Sequence, residues 1–137
     1  MRNNKTLALV PVIFALLYIS GCAAEEMMPL HTVESGTSTV EILTPGGKLK
    51  SGYNPIIVRV TTGGDATELD DAELMFSMPA MGSMPYMEMQ TVFAEGSEGG
   101  EISGNLTFNM GGSWTGHLNV VIADAPITAT FPMRVDE

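Results

Sequence analysis

The sequence is poor in the residue types on which most protein chemistry depends. Its 137 residues include one cysteine, two histidines and one tryptophan. A single cysteine forms no internal disulfide and no cysteine-based zinc or iron–sulfur site. The sequence also shows no serine–histidine–aspartate set and no glycine-rich phosphate loop, so we expect a protein that is not an enzyme.

Positive charge is scarce as well. Six lysines and arginines stand against 16 aspartates and glutamates, which gives a formal net charge of −10. Such an acidic surface repels polyanions, so the composition excludes an ordinary nucleic-acid-binding protein. It also disfavours a peripheral protein held only by anionic lipid headgroups. At this length we expect one folded domain.

A long apolar run occurs at the N-terminus. Arg2 and Lys5 precede the apolar residues 6–19, and small residues follow. The run is shorter than the roughly 20 residues that a membrane-spanning helix needs. A charged start, a short apolar centre and small residues before a cleavage point predict a signal peptide over residues 1–21.

Cys22 stands at the predicted cleavage point. The preceding Ile-Ser-Gly resembles a bacterial lipobox, in which the cysteine is acylated and becomes the new N-terminus. Two or three acyl chains, at about 0.8 kcal/mol per buried CH₂, anchor a small domain stably. We therefore predict an extracytoplasmic lipoprotein anchored to a bacterial membrane, on the periplasmic face or the cell surface. The alternative is a plain secretory signal that contains a cysteine.

The rest of the chain divides into a tether and a β-domain. Residues 22–37 show no sustained period and predict a flexible tether that carries the lipidated Cys22. Residues 38–137 contain short apolar runs of period two between glycine-rich turns, and no helical period lasts three turns. They predict an all-β domain, an immunoglobulin-like β-sandwich of about seven antiparallel strands. A small barrel is the structural alternative.

Methionine is the residue type that the sequence has in excess. The chain has 11 methionines, and five of them lie within residues 78–89. This segment repeats a Met-Pro-x-Met unit after a Gly-Ser spacer. Its two prolines forbid a continuous helix, so we predict a restrained loop between two strands. The methionines of the segment are Met78, Met81, Met84, Met87 and Met89.

Three interpretations account for this segment. Thioether sulfur is a soft, neutral donor that selects Cu(I) and has no proton to lose. Convergent sulfurs on a restrained loop therefore predict a Cu(I) site, with His117 as an additional ligand. The first alternative is core packing, which does not account for Met81 and Met84 between prolines and glycine. The second is a non-metal interaction module, in which the loop docks on a partner membrane protein.

Two motifs resemble a known family. A Met-Pro-x-Met-Gly run ends at Gly82, and a Met-x-Gly-x-Trp run begins at Met110, about 30 residues later. Together they resemble the YtkA-like (FixH-related) family over roughly residues 38–135. Its members are small extracytoplasmic β-sandwich domains, often membrane-tethered and linked by context to copper handling and cytochrome oxidase assembly. Where the family pattern commonly continues with histidine, this chain has Ser83, and we expect Met84 to supply the missing ligand.

The resemblance implies a metallochaperone. The sequence as a whole predicts a lipid-anchored Cu(I)-binding protein that serves as a chaperone, a scavenger or an oxidase-assembly factor. A copper-donor or copper-acceptor protein is its expected partner. Secondary metal ligands are predicted at Met110 and at a soft cluster in the tether, formed by Met27, Met28 and His31.

Overall fold

The computed structural model of the chain describes residues 25–137. These residues form two β-sheets and contain no helix. Within this part of the chain, accordingly, no helix has the length and apolar character needed to cross a membrane. The predicted signal peptide and Cys22 lie outside the described residues.

Eleven strands make up the two sheets of the described part. They are β1 (Met27–Ser35), β2 (Ser38–Pro45), β3 (Leu49–Lys50), β4 (Gly52–Thr62), β5 (Asp65–Ala66), β6 (Asp71–Met78), β7 (Met87–Gln90), β8 (Val92–Phe93), β9 (Glu101–Phe108), β10 (Gly112–Ile122) and β11 (Ala125–Asp136).

The strands form a sandwich. The first sheet has the order β1-β2-β4-β9-β8, with β5 paired to β4, and the second has the order β3-β11-β10-β6-β7. Pairing is antiparallel except between β3 and β11. The predicted all-β sandwich is confirmed. The strand number exceeds seven because several strands have only two residues and because β1 was not expected.

The flexible tether predicted over residues 22–37 is wrong for most of its length. Residues 27–35 form β1, which pairs with β2 at the edge of the first sheet. The register shifts between Pro29 and His31, and such a bulge breaks the period-two pattern by which a strand is found in sequence. Proline also fits an edge strand, because no ladder hydrogen bond is required from it there. The folded domain therefore begins near Met27.

Aromatic rings fill the space between the sheets. Phe76 meets Phe108 and Phe131 edge to face, with ring centroids 5.4 and 6.0 Å apart. Trp114 packs against Phe108 at 5.0 Å. Each edge-to-face pair contributes about 0.5–1.5 kcal/mol beyond the area that it buries. Because Phe108 ends β9 and Trp114 lies near the start of β10, this packing supports one end of the sandwich.

That end, which we call the methionine end, holds three connections of more than one residue. The strand pairings place them together, since Leu49 of β3 and Gly112 of β10 both lie opposite Val135 of β11. The connections are residues 46–48 between β2 and β3, residues 79–86 between β6 and β7, and residues 109–111 between β9 and β10.

The opposite end, which we call the acidic end, is held together by hydrogen bonds between its loops. The Asp124 N–H donates to Asp70 Oδ2 at 3.0 Å, and the Leu69 N–H donates to Ser97 Oγ at 3.3 Å. The connections at this end are residues 36–37, 63–64, 67–70, 94–100 and 123–124.

Candidate functional site

The tandem methionine repeat folds into a hairpin. Met78 at the end of β6 lies directly opposite Met87 at the start of β7. Beyond this pair, Met81 and Met84 exchange two backbone hydrogen bonds, with N···O distances of 3.0 and 2.8 Å. Residues directly opposite each other on an antiparallel ladder project to the same face. The two copies of the repeat therefore form two successive cross-strand methionine pairs.

A tight turn closes the hairpin. Gly82 and Ser83 are its two central residues, and Gly82 has a φ of 57°. A two-residue hairpin turn with positive φ at its first central position favours glycine there. The flanking Pro79 and Pro85 have no N–H to donate, which limits further pairing between the two arms. The local sequence thus fixes Met81 and Met84 across the turn from each other.

The methionine side chains of the hairpin differ in exposure. Met78 is 2% exposed, whereas Met81 at the turn is 58% exposed. Met84 and Met87 are half-buried and pack against the core. Met89 is also half-buried and lies opposite Phe76, deeper in the sandwich. The thioethers therefore extend from the solvent into the apolar interior.

The β9–β10 turn lies against this hairpin. Asn109 Nδ2 is 3.8 Å from the sulfur of Met87. A Cβ atom added at Gly112 would lie 3.0 Å from the methyl carbon of Met78, so glycine leaves room for that methyl group. Met110, between these two contacts, is half-buried and packs against the same core. The two sequence motifs thus meet at the methionine end. We call Met78, Met81, Met84, Met87 and Met110 the methionine cluster.

His117 is not brought to this cluster. It is paired with Met75 of β6, and the next residue, Leu118, is buried in the core. Since side chains alternate along a strand, His117 faces the outer surface of the second sheet. Its Nε2 lies 3.0 Å from Ser77 Oγ, on that surface. The sheet itself separates the histidine from the predicted methionine ligands, and this is a correction to the expected ligand set.

The second predicted soft cluster also lies elsewhere. Met27, Met28 and His31 belong to β1, at the edge of the sandwich opposite to β7. The His31 ring stacks on Phe131, with centroids 4.0 Å apart and an interplanar angle of 15°. Burial lowers the pKa of His31. These three residues therefore do not join the methionine cluster, and His31 packs as part of the structure.

Sequence reasoning missed two neighbours of the hairpin. Asn109 reaches Met87, and Tyr86 donates a 2.8 Å hydrogen bond to Glu88 Oε1. That hydrogen bond raises the pKa of Tyr86. Asn109 directly precedes the second motif, which was the available signal for it. Tyr86 is 55% exposed beside the turn and carried no such signal.

The chemistry that this arrangement offers is that of neutral sulfur. Among residues 25–137, no three histidine, cysteine, aspartate or glutamate side chains are grouped so as to hold a metal ion. The methionine cluster is made of thioethers, which are soft donors and carry no proton at any ordinary pH. A ligand for this cluster would be a soft monovalent metal ion or an apolar surface.

Comparison with known proteins places the chain in a family. A crystal structure of the GAE domain of GGA2p from Saccharomyces cerevisiae is similar at 10% sequence identity and a TM-score of 0.37, covering 78% of this chain and 96% of that chain. No curated protein matches the sequence. The model of the YtkA-like family matches residues 32–119, a range that includes the hairpin and the β9–β10 turn. With more than half of its residues matched, the chain belongs to the YtkA-like family.

Proposed function

We propose that this chain is a lipid-anchored extracytoplasmic protein that binds Cu(I) through the methionine cluster. One observation carries the proposal: the tandem repeat forms two cross-strand methionine pairs, Met78 with Met87 and Met81 with Met84, beside the turn that bears Met110. A single thioether binds metal weakly, so a useful site needs several sulfurs at one place.

The donor chemistry favours copper in its reduced state. Soft thioethers select Cu(I), whereas the carboxylates that dominate this sequence favour hard cations. Methionine also suits an extracytoplasmic site, because an exposed thiol there is prone to oxidation. In this proposal the exposed Met81 makes the first contact with the ion, and the half-buried Met84 and Met87 hold it deeper.

The cell location follows from the predicted anchor. The signal peptide over residues 1–21 and the lipobox-like cysteine support export and acylation at Cys22. A tethered copper-binding domain of this size fits a chaperone or scavenger that exchanges the ion with a donor or acceptor protein. We propose a binding function rather than an enzymatic one.

A second candidate function has its own observation. Met81 and Tyr86 are more than half exposed at the tip of the hairpin. Large apolar side chains that are exposed on one connecting segment are typical of a surface that docks on another protein. In this alternative the hairpin is a non-metal contact with a partner membrane protein.

Replacing sulfur by carbon separates the two functions. In the double variant Met84→Leu with Met87→Leu, we expect Cu(I) affinity to fall by about tenfold or more, measured in competition with a chromogenic chelator. Leucine keeps the apolar volume, and such exchanges usually cost less than about 1.5 kcal/mol of stability. A hairpin that only docks on a protein would tolerate this change.

The matched control is Met75→Leu. Met75 lies on the same strand as Met78 but, like its cross-strand neighbour His117, on the outer face of the sheet. We expect the Met75 variant to bind Cu(I) like the native chain. Unchanged copper affinity in the double variant would contradict coordination by the cluster and favour the docking function.

A further inference from the structure

We infer that the methionine end of the sandwich rests on the surface of a phospholipid bilayer, with the chain's point of attachment, its exposed aromatic side chains and most of its cations at that one end. This inference rests on the proposed acylation of Cys22. It adds an orientation to the proposed function, and the orientation follows from the position of β1.

The link between the anchor and the folded domain is short. Strand β1 begins at Met27, and the Glu26 carbonyl already accepts a 2.9 Å hydrogen bond from the Gly46 N–H. The chain is therefore held at the methionine end from Glu26 onward. The four residue steps from Cys22 to Glu26 span at most about 14 Å. A strand of 11 residues, such as β4, spans about 37 Å, so the acidic end cannot lie as close to the anchor.

Exposed apolar side chains are concentrated at the same end. The described residues include five exposed large hydrophobic side chains, and four of them lie there. Tyrosine is favoured at membrane interfaces, because its ring is apolar while its hydroxyl group stays hydrated. The fifth, Val92 in β8, lies opposite Asn105 at the edge of the first sheet. The four are Met28 at 48%, Tyr53 at 60%, Met81 at 58% and Tyr86 at 55% exposure.

The two ends also differ in charge, and the lysines and arginines are concentrated at the methionine end. Of the four lysines and arginines between residues 25 and 137, Lys48, Lys50 and Arg134 lie at the methionine end. Five carboxylate side chains accompany them, those of Glu25, Glu26, Glu88, Asp136 and Glu137. The acidic end has no lysine or arginine within its described loops and the start of β6, and an anionic bilayer would repel it. Its carboxylates are those of Asp65, Glu68, Asp70, Asp71, Glu95, Glu98 and Asp124.

The net charge of the chain does not oppose this orientation. A domain this acidic would not collect on an anionic membrane by itself, but a lipid anchor holds it there regardless of charge. Once it is anchored, the difference between the two ends determines which end faces the lipid. The methionine cluster then opens at the bilayer surface, where it can meet a partner embedded in the same membrane.

Hydrogen exchange on vesicles tests the orientation. The mature chain is attached through Cys22 to vesicles of phosphatidylethanolamine and phosphatidylglycerol. Its amide exchange is compared with that of the unattached chain in detergent-free solution. We expect exchange to slow several-fold in residues 46–53 and 79–86 and to stay unchanged in residues 63–70 and 123–124. Equal protection of both ends, or protection of the acidic end alone, would overturn the inference.

Two variants sharpen the test. Tyr53→Ser with Tyr86→Ser removes the aromatic contacts, and we expect it to reduce the protection of residues 79–86. Val92→Ser removes an equally exposed apolar side chain from the sheet edge, and we expect it to leave that protection unchanged. If both variants behave alike, the aromatic side chains do not contact lipid and the proposed surface is wrong.

Failure of the anchor can be recognised separately. The mass of the chain isolated from its membrane reports whether Cys22 is acylated, which tests the proposed function. A chain without acyl groups is coupled to a maleimide lipid through this same thiol, the one cysteine of the sequence. If the coupled chain on vesicles does not show the expected exchange pattern, the orientation is contradicted but the proposed function is not. Copper binding is measured separately in the chelator assay.

Discussion

At the methionine end the loops between strands carry thioethers, prolines and tyrosine, whereas at the acidic end they carry carboxylates and glycines. The carboxylates there serve the fold: Asp70 accepts the backbone N–H of Asp124, and Glu68 accepts a 2.8 Å hydrogen bond from Ser97. No comparable structural task explains the exposed Met81. One end therefore closes the sandwich with polar turns, while the other presents the soft side chain of Met81, which the fold does not require.

The largest expected difference between the two ends is in stability. Trp114→Ala removes a 2% exposed ring packed on Phe108, and we expect the free energy of unfolding to fall by about 3–5 kcal/mol. Leu69→Ala at the acidic end removes a smaller buried side chain, which is 8% exposed, and we expect a loss of about 2 kcal/mol. Urea denaturation of both variants measures the difference. A larger loss for Leu69→Ala would contradict the view that aromatic packing supports the methionine end.

Two glycines offer a matched comparison of turns. Gly82 has a φ of 57° and Gly63 a φ of 60°, and a Cβ atom added at either position meets nothing within 4 Å. Alanine at each position should cost about 1 kcal/mol of stability, because both backbones are left-handed. We expect Cu(I) affinity to fall only for Gly82→Ala, since that turn sets Met81 against Met84. Equal affinities in the two variants would show that the turn geometry does not matter for binding.

The smallest expected effect is a pH dependence of stability that copper binding does not share. Burial lowers the pKa of His31, so below the ordinary value of 6.5 the unfolded state binds more protons than the folded state. The contribution of neutral His31 to stability is fully present above pH 6.5. It is lost as the pH falls through 6.5 towards the lower pKa that His31 has in the folded state. We expect the urea midpoint to decrease in this range for the native chain and to change less for His31→Gln.

Copper binding should not follow the same pH dependence. Thioethers carry no proton to lose, so Cu(I) affinity should stay constant between about pH 8 and pH 6. His117→Gln, which changes the histidine on the outer face, should keep the copper affinity. Copper binding that weakens at the lower pH in the native chain, but not in the His117→Gln variant, would contradict an all-methionine site.

The alternation of apolar residues was sufficient to predict the sandwich, and it also contained information on the site. Met78 shares its parity with the buried Leu74 and Phe76, whereas His117 alternates with the buried Leu118. The two side chains therefore had to lie on opposite faces of a common sheet. The sequence interpretation combined them because it treated the methionine segment as a loop without a face.

Other features depended on contacts between distant residues. The approach of Asn109 to Met87 requires that β10 pair with β6, and this pairing joins residues about 40 positions apart. Local patterns do not specify such a partner. Strand β1 escaped prediction for a local reason, since its bulge after Pro29 breaks the alternation and hides the strand. The proposed short link to the anchor, and with it the proposed orientation of the domain, depends on the position of that strand.

The proposed function requires that sulfur atoms of the methionine cluster bind Cu(I) together. The most direct measurement is nuclear magnetic resonance of the chain labelled at its methionine methyl groups, titrated with Cu(I) under anaerobic conditions. We expect the methyl signals of Met84, Met87 and Met110 to shift together and to saturate with one ion, while those of Met27, Met28 and Met75 stay in place. Signals that do not move, or that move first at Met27 and Met28, would contradict it.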